Sequence, residues 1–462
     1  MFSRNRREEK SDMKVLVYGG KGCGAREHIL ALAAQRSSMV DQLYCPCPNG
    51  GIAGLAKYRQ TDVDPADFGA VVRFAQQKAI DLVLVGPEAP LVAGLADQLL
   101  QAGIPAFGPT AQAAMIEGSK LQAKKWMAEC GVPTADYVAF TQEQLAQAVD
   151  YVRDVRRKLV IKADGLAAGK GVTIVDDAET AEDAVRACLE RRVFGAAGDT
   201  ILAEEFLEGY PGLRRPELSV LAFVDVFGNF VMMRAAQDFK PIFAGDKGPN
   251  TGGTGSLSPI PWVTDAMMQI VGERIFKPMI ELMKSLGIPF SGVLYAGLIW
   301  TKDGPKVIEW NCRFGDPEIV PLFMALNTDL LPIMQTIATG GSIANLSLSY
   351  KSGVALTLVL MSNGYPGDYA KGFTIKGLDQ MPLSRRDFMM AHAGTVLKQG
   401  PIFQTAGGRV LDPTVLGPDY ESCAKRLQEI AQKIIWGDGG ENRPYWRPDI
   451  GFDVQLSLPE LP

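Results

Sequence analysis

The stretch Val307-Ile308-Glu309-Trp310-Asn311-Cys312-Arg313-Phe314-Gly315-Asp316-Pro317-Glu318 carries the densest chemistry in the sequence and reads as a strand ending in a polar turn. Successive side chains of a strand point to opposite faces. Glu309 and Asn311 therefore project together, while Ile308 and Trp310 face the other way. A carboxylate and an amide oxygen two residues apart suit a hard divalent cation such as Mg2+. Arg313, Asp316 and Glu318 follow closely, with Cys312 beside them. The same composition also makes a solvated strand end, so the metal reading needs a second, independent signal.

That signal lies far upstream, in Lys158-Leu-Val-Ile-Lys162-Ala-Asp164-Gly165-Leu-Ala-Ala-Gly169-Lys170-Gly171-Val172-Thr-Ile-Val175. A P-loop needs four residues between its glycines, a Ser or Thr after the Lys, and a helix to follow. Here three residues separate Gly165 from Gly169, Gly171 follows Lys170, and Val172 to Val175 is strand-like. The unit reads as a hairpin with a glycine-rich tip, where backbone N–H groups can approach phosphate oxygens. Lys162 and Lys170 supply point charges for the same phosphates. The alternative is a surface hairpin with solvated lysines. Downstream, Ile201-Leu-Ala-Glu204-Glu205-Phe206-Leu207-Glu208 runs a strand into acidic residues. Backbone groups at such a crossover suit an adenine edge, and Glu208 or Glu217 a ribose or metal, with an acidic strand end facing water as the alternative.

These residues must be positioned by more than one core, because 462 residues exceed a single compact domain. From Met13 to Ala114 strands alternate with helices. Lys14 to Tyr18 is a buried strand, a helix ends near Arg36, and Asp81 to Val85 is a second strand ending at Gly86-Pro87-Glu88. That pattern predicts a parallel α/β sheet with ligands at the carboxyl ends of its strands. The glycines after the first strand do not match G-x-G-x-x-G, so one phosphate at a helix start fits better than a dinucleotide. For Arg26 and His28, helix capping and surface pairing remain the alternative. Ser119 reads as an N-cap for a helix through Cys130, stopped by Gly131 and Pro133. Residues 134–205 are expected to form a mobile lid and 206–345 a larger central domain carrying the metal strand. Strands near 354–361, 392–397 and 409–411 and a helix over 420–435 predict a small α+β domain over 346–462. Residues 1–12 are charged, lack the apolar core of a signal peptide, and are expected to be a disordered leader.

Composition narrows the function. The chain is 47% hydrophobic with a net charge of -5, which argues against a nucleic-acid partner. No apolar run approaches membrane-spanning length. Seven cysteines lack zinc or C-x-x-C spacing, so free thiols in a reducing cytoplasm are expected. Two histidines cannot build a His-rich metal site, and no nucleophile elbow is present.

Lysine strand, glycine hairpin, acidic hinge and Glu-x-Asn strand, in that order, resemble the ATP-grasp superfamily. Shorter segments make the sequence most similar to its phosphoribosylamine–glycine ligase (glycinamide ribonucleotide synthetase) family. They are Arg26-Glu27-His28, Gly86-Pro87-Glu88, Phe107-Gly108-Pro109-Thr110, Glu117-Gly118-Ser119-Lys120, Lys162 to Gly171, Gly248 to Gly253, Leu294 to Leu298, Asn311 to Glu318 and Ala393-Gly394-Thr395. The resemblance implies an ATP-grasp fold over 115–345, preceded by a parallel α/β domain over 13–114 that holds the substrate phosphate. It implies ATP contacts from Lys120, Lys162, Gly169, Gly171, Glu204, Glu205, Phe206, Leu207 and Glu217, and a Mg2+ or Mn2+ ion on Glu309 and Asn311. It places the phosphoribosyl group near Gly22, Gly24, Arg26, Glu27, His28, Asn49, Gly50, Pro87 and Glu88. Glycine and the amine would meet near Asn250, Thr251, Gly252, Gly253, Arg313 and Asp316, with Lys162, Lys170, Asp238, Lys240 and Arg313 as catalytic groups.

The reaction so implied is two-step amide ligation of glycine to 5-phosphoribosylamine through an acyl phosphate, in a cytoplasmic monomer or weak homodimer with no membrane partner. Departures from the family pattern are the long loop Gly19 to Arg26, Phe239 where Asp-His-Lys is usual, the extra residues Tyr210 to Arg215, and Thr254 in place of Met. They leave open a ligase for a different amine or amino acid. An inactive nucleotide-binding homologue is the third reading, weakened by the retained Lys162, Lys170, Glu309 and Asn311.

Overall fold

The computed structural model describes residues 12–154, 157–167, 171–381, 384–437 and 442–458. The expected leader up to residue 11, and the hairpin-tip candidates Gly169 and Lys170, lie outside the described residues.

The runs Met13–Tyr18 and Leu82–Val85 are almost wholly buried strands, as their apolar composition, broken only by Lys14, requires. They form the centre of a five-stranded sheet with Val40–Tyr44, Tyr58–Arg59 and Ala106–Phe107, and every pairing is parallel. Helix Ala25–Arg36 begins just beyond the carboxyl end of the first strand. The Glu27 carboxylate accepts the Gly24 N–H at 2.7 Å, which satisfies one of the donors left open at that helix end.

Helix Lys120–Cys130 starts as the sequence predicts: the Ser119 hydroxyl accepts the Gln122 N–H at 3.0 Å, and Gly131 ends the helix with φ +71°. A four-stranded antiparallel sheet follows, ordered Tyr137–Thr141, Thr200–Glu205, Leu159–Ala163, Val172–Val175. Its last pair is the expected hairpin. Helices Leu145–Asp154 and Ala178–Leu189 close this unit over a core that includes Val149, Val152, Ile161, Val185 and Leu189.

A second antiparallel sheet, ordered Phe230–Met232, Glu217–Val224, Gly292–Thr301, Gly304–Asn311, carries the Glu-x-Asn pair on its edge. Tyr295 stands opposite Asn311 and Gly297 opposite Glu309. Gly297 must be small there, because a Cβ would lie 3.0 Å from Glu309 Cγ. On the other face Trp310 is buried edge-on against Phe276, as the strand alternation predicts.

The C-terminal strands Val354–Leu358, Leu360–Ser362, Phe388–His392 and Arg409–Gly417 join one sheet, covered by helix Tyr420–Lys433. Arg409–Gly417 is longer than the 409–411 segment expected and runs on through Pro413, which stands opposite Met390. Pro413 falls where one neighbour, Val354–Leu358, has ended its pairing at Thr414 and the next, Leu360, begins at Leu411. A missing N–H costs no ladder bond on that side. Gly255–Ser258 pairs with Val354–Leu358, so this sheet continues into the central region. No helix among the described residues is long and apolar enough to cross a membrane.

Candidate active site

Lys162, on Leu159–Ala163, lies 2.9 Å from Glu204 Oε2 and donates to the Ile308 carbonyl at 3.0 Å. It thereby ties the four-stranded sheet to the strand bearing Glu309. Lys124 reaches the same carboxylate at 3.3 Å and donates to Thr134 and Ala135. Burial pushes the Lys124 ammonium down to about 8, against the pull of Glu204. Glu204 is thus a buried counter-ion for two lysines, whereas Glu205 points outward and accepts the Asp136 N–H at 3.2 Å. The hinge candidates Glu204 and Glu205 consequently do different things, as period-2 alternation demands. Phe206 lies under the Lys158 ammonium, 4.2 Å from its ring centre, with Leu207 half-buried beside it.

Lys120 donates to the carbonyls of Asp164 and Gly165, at 3.4 and 3.2 Å, at the root of the glycine hairpin. Asp164 accepts from the Ser119 hydroxyl and the Leu121 N–H, which locks helix start and hairpin root together. Gly171 closes the other side, its carbonyl accepting the Ala163 N–H.

Glu309 is the focus of the charge. The Lys240 ammonium 3.5 Å away, with Lys162, Lys120 and Arg313 beyond it, holds this carboxyl down to about 2 against the opposing effect of burial. Lys240 is raised in turn, chiefly by Glu309. Asn311 Oδ1 accepts from Arg313 at 3.0 Å, and its buried Nδ2 has no partner. Asp238, two residues from Lys240, also keeps one buried oxygen without a partner. Burial first, and then the charge of Glu318, push its carboxyl well above the ordinary carboxylate range. Glu217 lies at the exposed start of Glu217–Val224, and its backbone carbonyl accepts a hydrogen bond from the Gln237 Nε2 at 2.9 Å.

A ladder of alternating charges leads from this cleft to the parallel sheet. Arg313 bridges Glu117 at 2.9 Å and Glu88 at 3.2 Å; Arg26 lies 3.9 Å from Glu88 and 2.7 Å from Glu27. Although burial acts in the opposite sense, Arg313 and Arg26 hold Glu88 down to about 2. Its unfolded value is about 4.3. The folded value is the lower one, so this stabilisation is complete above about pH 4.3 and is lost as the pH falls toward 2. Glu88→Gln is therefore expected to flatten the fall in urea midpoint between pH 4.3 and 2. An unchanged slope would show that the ladder does not hold Glu88 ionised in solution.

Gly24, Arg26, Glu27, Pro87 and Glu88 gather at the carboxyl ends of the parallel strands, with Gly22 exposed on the loop before them. Asp316 joins them, its Oδ2 accepting the Arg26 N–H at 3.2 Å. His28, Asn49 and Gly50 lie instead at the seam with the C-terminal sheet. The His28 Nδ1 accepts the His392 N–H at 2.8 Å, and Asn49 spends its side chain on the Ile52 N–H and the Gly24 and His392 carbonyls. A Cβ on Gly50 would meet Phe403 and Thr395. Asn250 ends an exposed strand, while Thr251 accepts from Gly253 and donates to the Lys240 carbonyl, which brings Thr251, Gly252 and Gly253 alongside Lys240. Lys124, Glu117, Arg409 and Tyr365 contact these residues and are missed by spacing alone; of the four, Glu117 has a signal, its place in Glu117-Gly-Ser-Lys120.

The departures at Phe239 and Thr254 face away from this cleft. Phe239 is buried with the Arg215 and Arg447 guanidiniums 5.0 and 5.6 Å from its ring centre. Thr254 is buried too, and its N–H and hydroxyl both donate to the Phe239 carbonyl. In the long first loop, Cys23 is tucked inward with its Sγ 3.4 Å from that of Cys45. All seven cysteines are free thiols, five of them buried.

Three family models match the chain in succession: the phosphoribosylglycinamide synthetase N domain over 13–117, the ATP-grasp (A) domain over 118–319 and the C domain over 355–453. A phosphoribosylamine–glycine ligase of Agrobacterium fabrum is 43% identical over 443 residues, covering 96% of this chain and 99% of its own. The chain belongs to the phosphoribosylglycinamide synthetase family. A second such ligase, from Caldanaerobacter subterraneus subsp. tengcongensis, is 41% identical and covers 95% and 99% of the two chains. The crystal structure of the Thermotoga maritima phosphoribosylamine–glycine ligase matches with a TM-score of 0.76 at 27% identity, over 95% of this chain and all of that one. A biotin carboxylase of Campylobacter jejuni shares the fold alone, with a TM-score of 0.69 at 16% identity over 92% of each chain.

As a member of this family the chain carries an ATP-grasp domain, which binds ATP together with a divalent cation. The residues fit such a cation. Glu309 is held ionised, and the Asn311 amide oxygen retains a second lone pair beyond the one used by Arg313. Among the described residues no group of three or more His, Cys, Asp or Glu forms a metal cage. One carboxylate and one amide instead match an ion that completes its shell with phosphate oxygens and water.

Proposed function

We propose that this chain joins glycine to 5-phosphoribosylamine, cleaving ATP to ADP and phosphate and releasing glycinamide ribonucleotide. The observation that carries this reading is the continuity of two sites. A cationic cleft centred on Glu309 adjoins, through Arg313 and Glu88, the strand ends that carry Arg26.

In this scheme Lys120 and Lys162 hold the nucleotide phosphates from the roof of the cleft. Lys240 sits across from them beside Glu309 and offsets charge on the transferred phosphoryl group, which passes through a loose transition state. A magnesium or manganese ion on Glu309 and Asn311 would neutralise the same oxygens. Glycine's carboxylate attacks the γ-phosphate to give glycyl phosphate and ADP. The amine of phosphoribosylamine then attacks the acyl carbon and phosphate leaves. Asp238, with an unpartnered oxygen facing the Gly253 turn, accepts a hydrogen bond from the amine. Arg26 and the loop at Gly22 and Gly24 anchor the phosphoribosyl group. Closure of the lid keeps water from the acyl phosphate. Holding the reactants in register can supply about 7–11 kcal/mol of the barrier reduction, so the scheme requires no covalent nucleophile. Because Phe239 and Thr254 face the core, their departure from the family pattern leaves the amine site unaltered. We assign the enzyme to the cytoplasm, as a monomer or weak homodimer.

ADP release with Mg-ATP and glycine, with and without phosphoribosylamine generated in situ, tests the assignment. Strong release is expected only with all three. Release that ignores phosphoribosylamine would assign a different amine acceptor, and absence of release from a folded, ATP-binding sample would refute ligase activity.

A further inference from the structure

The proposed chemistry uses no residue beyond Asp316, yet the C-terminal sheet reaches the cleft at one place. Arg409 opens the strand Arg409–Gly417, and its Nη1 donates to the carbonyls of Gly252 and, at 2.7 Å, Asp316. The same nitrogen lies 3.3 Å from Asp316 Oδ1. Tyr365, also C-terminal, accepts the Gly252 N–H through its hydroxyl at 3.1 Å. Both backbone polar groups of Gly252 are therefore held by side chains from the C-terminal sheet region.

The two held segments adjoin the residues to which the proposed reaction assigns the amine. Gly253, the next residue, adopts φ +113°, and a Cβ on it would collide with Asp238 and Pro317. The residue that follows Arg409's grip thus packs directly against the Asp238 oxygen that has no partner. Asp316, the other segment gripped, accepts the Arg26 N–H of the phosphoribosyl loop. One guanidinium consequently connects the segment packed against Asp238 with the loop to which the proposed reaction assigns the phosphoribosyl group. Among the described residues its polar partners are Gly252 and Asp316, and it forms no hydrogen bond or ion pair with Lys120, Lys162 or Glu309. The site is crowded: a Cβ on Gly252 would lie 3.0 Å from Arg409 Cζ, and one on Gly408 would strike the Tyr365 ring. All three contacts converge on one terminal nitrogen, Nη1, which a rigid planar group holds one bond farther from the backbone than a lysine ammonium would stand.

We propose that Arg409 and Tyr365 are positioning residues of the amine-acceptor pocket, acting through Gly252 and Asp316 and selective for the phosphoribosylamine half of the reaction. The inference rests on the reaction proposed for the chain. It extends that reaction by giving the C-terminal sheet a part in substrate recognition.

The test uses the full chain, wild type beside Arg409→Lys and Tyr365→Phe, with KM measured for each substrate and amide hydrogen exchange followed over 250–254. Arg409→Lys is expected to raise the KM for phosphoribosylamine about tenfold or more, the effect of losing one charge-assisted hydrogen bond. The KM for ATP should stay within about threefold, since binding energy there comes from residues the clamp does not touch. Tyr365→Phe should speed exchange of the Gly252 amide and shift the same KM in the same direction. Unchanged KM for phosphoribosylamine in active variants would overturn the proposal, as would equal losses for all substrates with a lowered melting temperature. If the wild type itself needs no phosphoribosylamine, the proposed reaction fails. The clamp is then decided by exchange alone: faster exchange at Gly252 supports it and unchanged exchange overturns it.

Discussion

Glu309→Gln is expected to lower ADP formation by about 10³-fold or more, an effect in the range of losing a principal electrostatic group of a phosphoryl-transfer site. The substitution keeps the shape of the side chain and removes only its charge. Four cations converge on that charge, and Lys240, 3.5 Å away, contributes most to holding it ionised. Melting temperature should barely move, because the Lys240–Glu309 pair is 40% and 33% exposed and such pairs contribute about 0–1 kcal/mol. Equilibrium binding of ATP without metal should persist in the variant, since Lys120 and Lys162 remain. Binding retained with turnover lost separates a metal role from a folding role. Normal turnover would remove Glu309 from the metal site, and the Glu-x-Asn strand would then be an ordinary charged edge.

How far the sequence led can be judged from individual residues. Glu309 and Asn311 were legible because a strand edge has a two-residue period, and the opposite face carries Trp310, which buries as expected. The Ser119 cap and the hairpin at Lys162 were legible because caps and turns are short-range chemistry. The same period-2 rule, applied to the hinge, separates Glu204 from Glu205, since one of two successive strand residues must face the core. His28 and Asn49 illustrate a different limit. Their partner, His392, lies more than 340 residues away, so no local pattern could announce that their polar groups are engaged there. Arg409 is silent for the same reason, since its contacts with Asp316 and Gly252 cross 93 and 157 positions. Phe239 shows the reverse case: a departure that looked consequential in sequence is turned into the core by alternation with Asp238 and Lys240.

Glu204→Ala is expected to destabilise the chain by about 3–5 kcal/mol, the range for removing one partner of a buried ion pair. Lys162 and Lys124 both direct their ammoniums at this carboxylate, and all three side chains are at most 6% exposed. Without Glu204, two positive charges face each other in a site with little water. Hydrogen bonds to the Ile308 and Ala135 carbonyls and the Thr134 hydroxyl cannot neutralise them. A nucleotide-contact role predicts something else, namely weaker ATP binding with stability intact. The double variant Glu204→Gln with Lys124→Met discriminates further. It removes one buried charge of each sign, leaving Lys162 with an amide partner, and should recover part of the lost stability in the coupling pattern of neighbouring sites. Additive losses in that cycle would mean the lysines do not share the carboxylate in solution. Glu205→Gln, one residue on and outward-facing, should change the urea midpoint little. A large effect there with none at Glu204 would reverse the assignment of inner and outer faces on which the placement of Lys162 over the cleft depends.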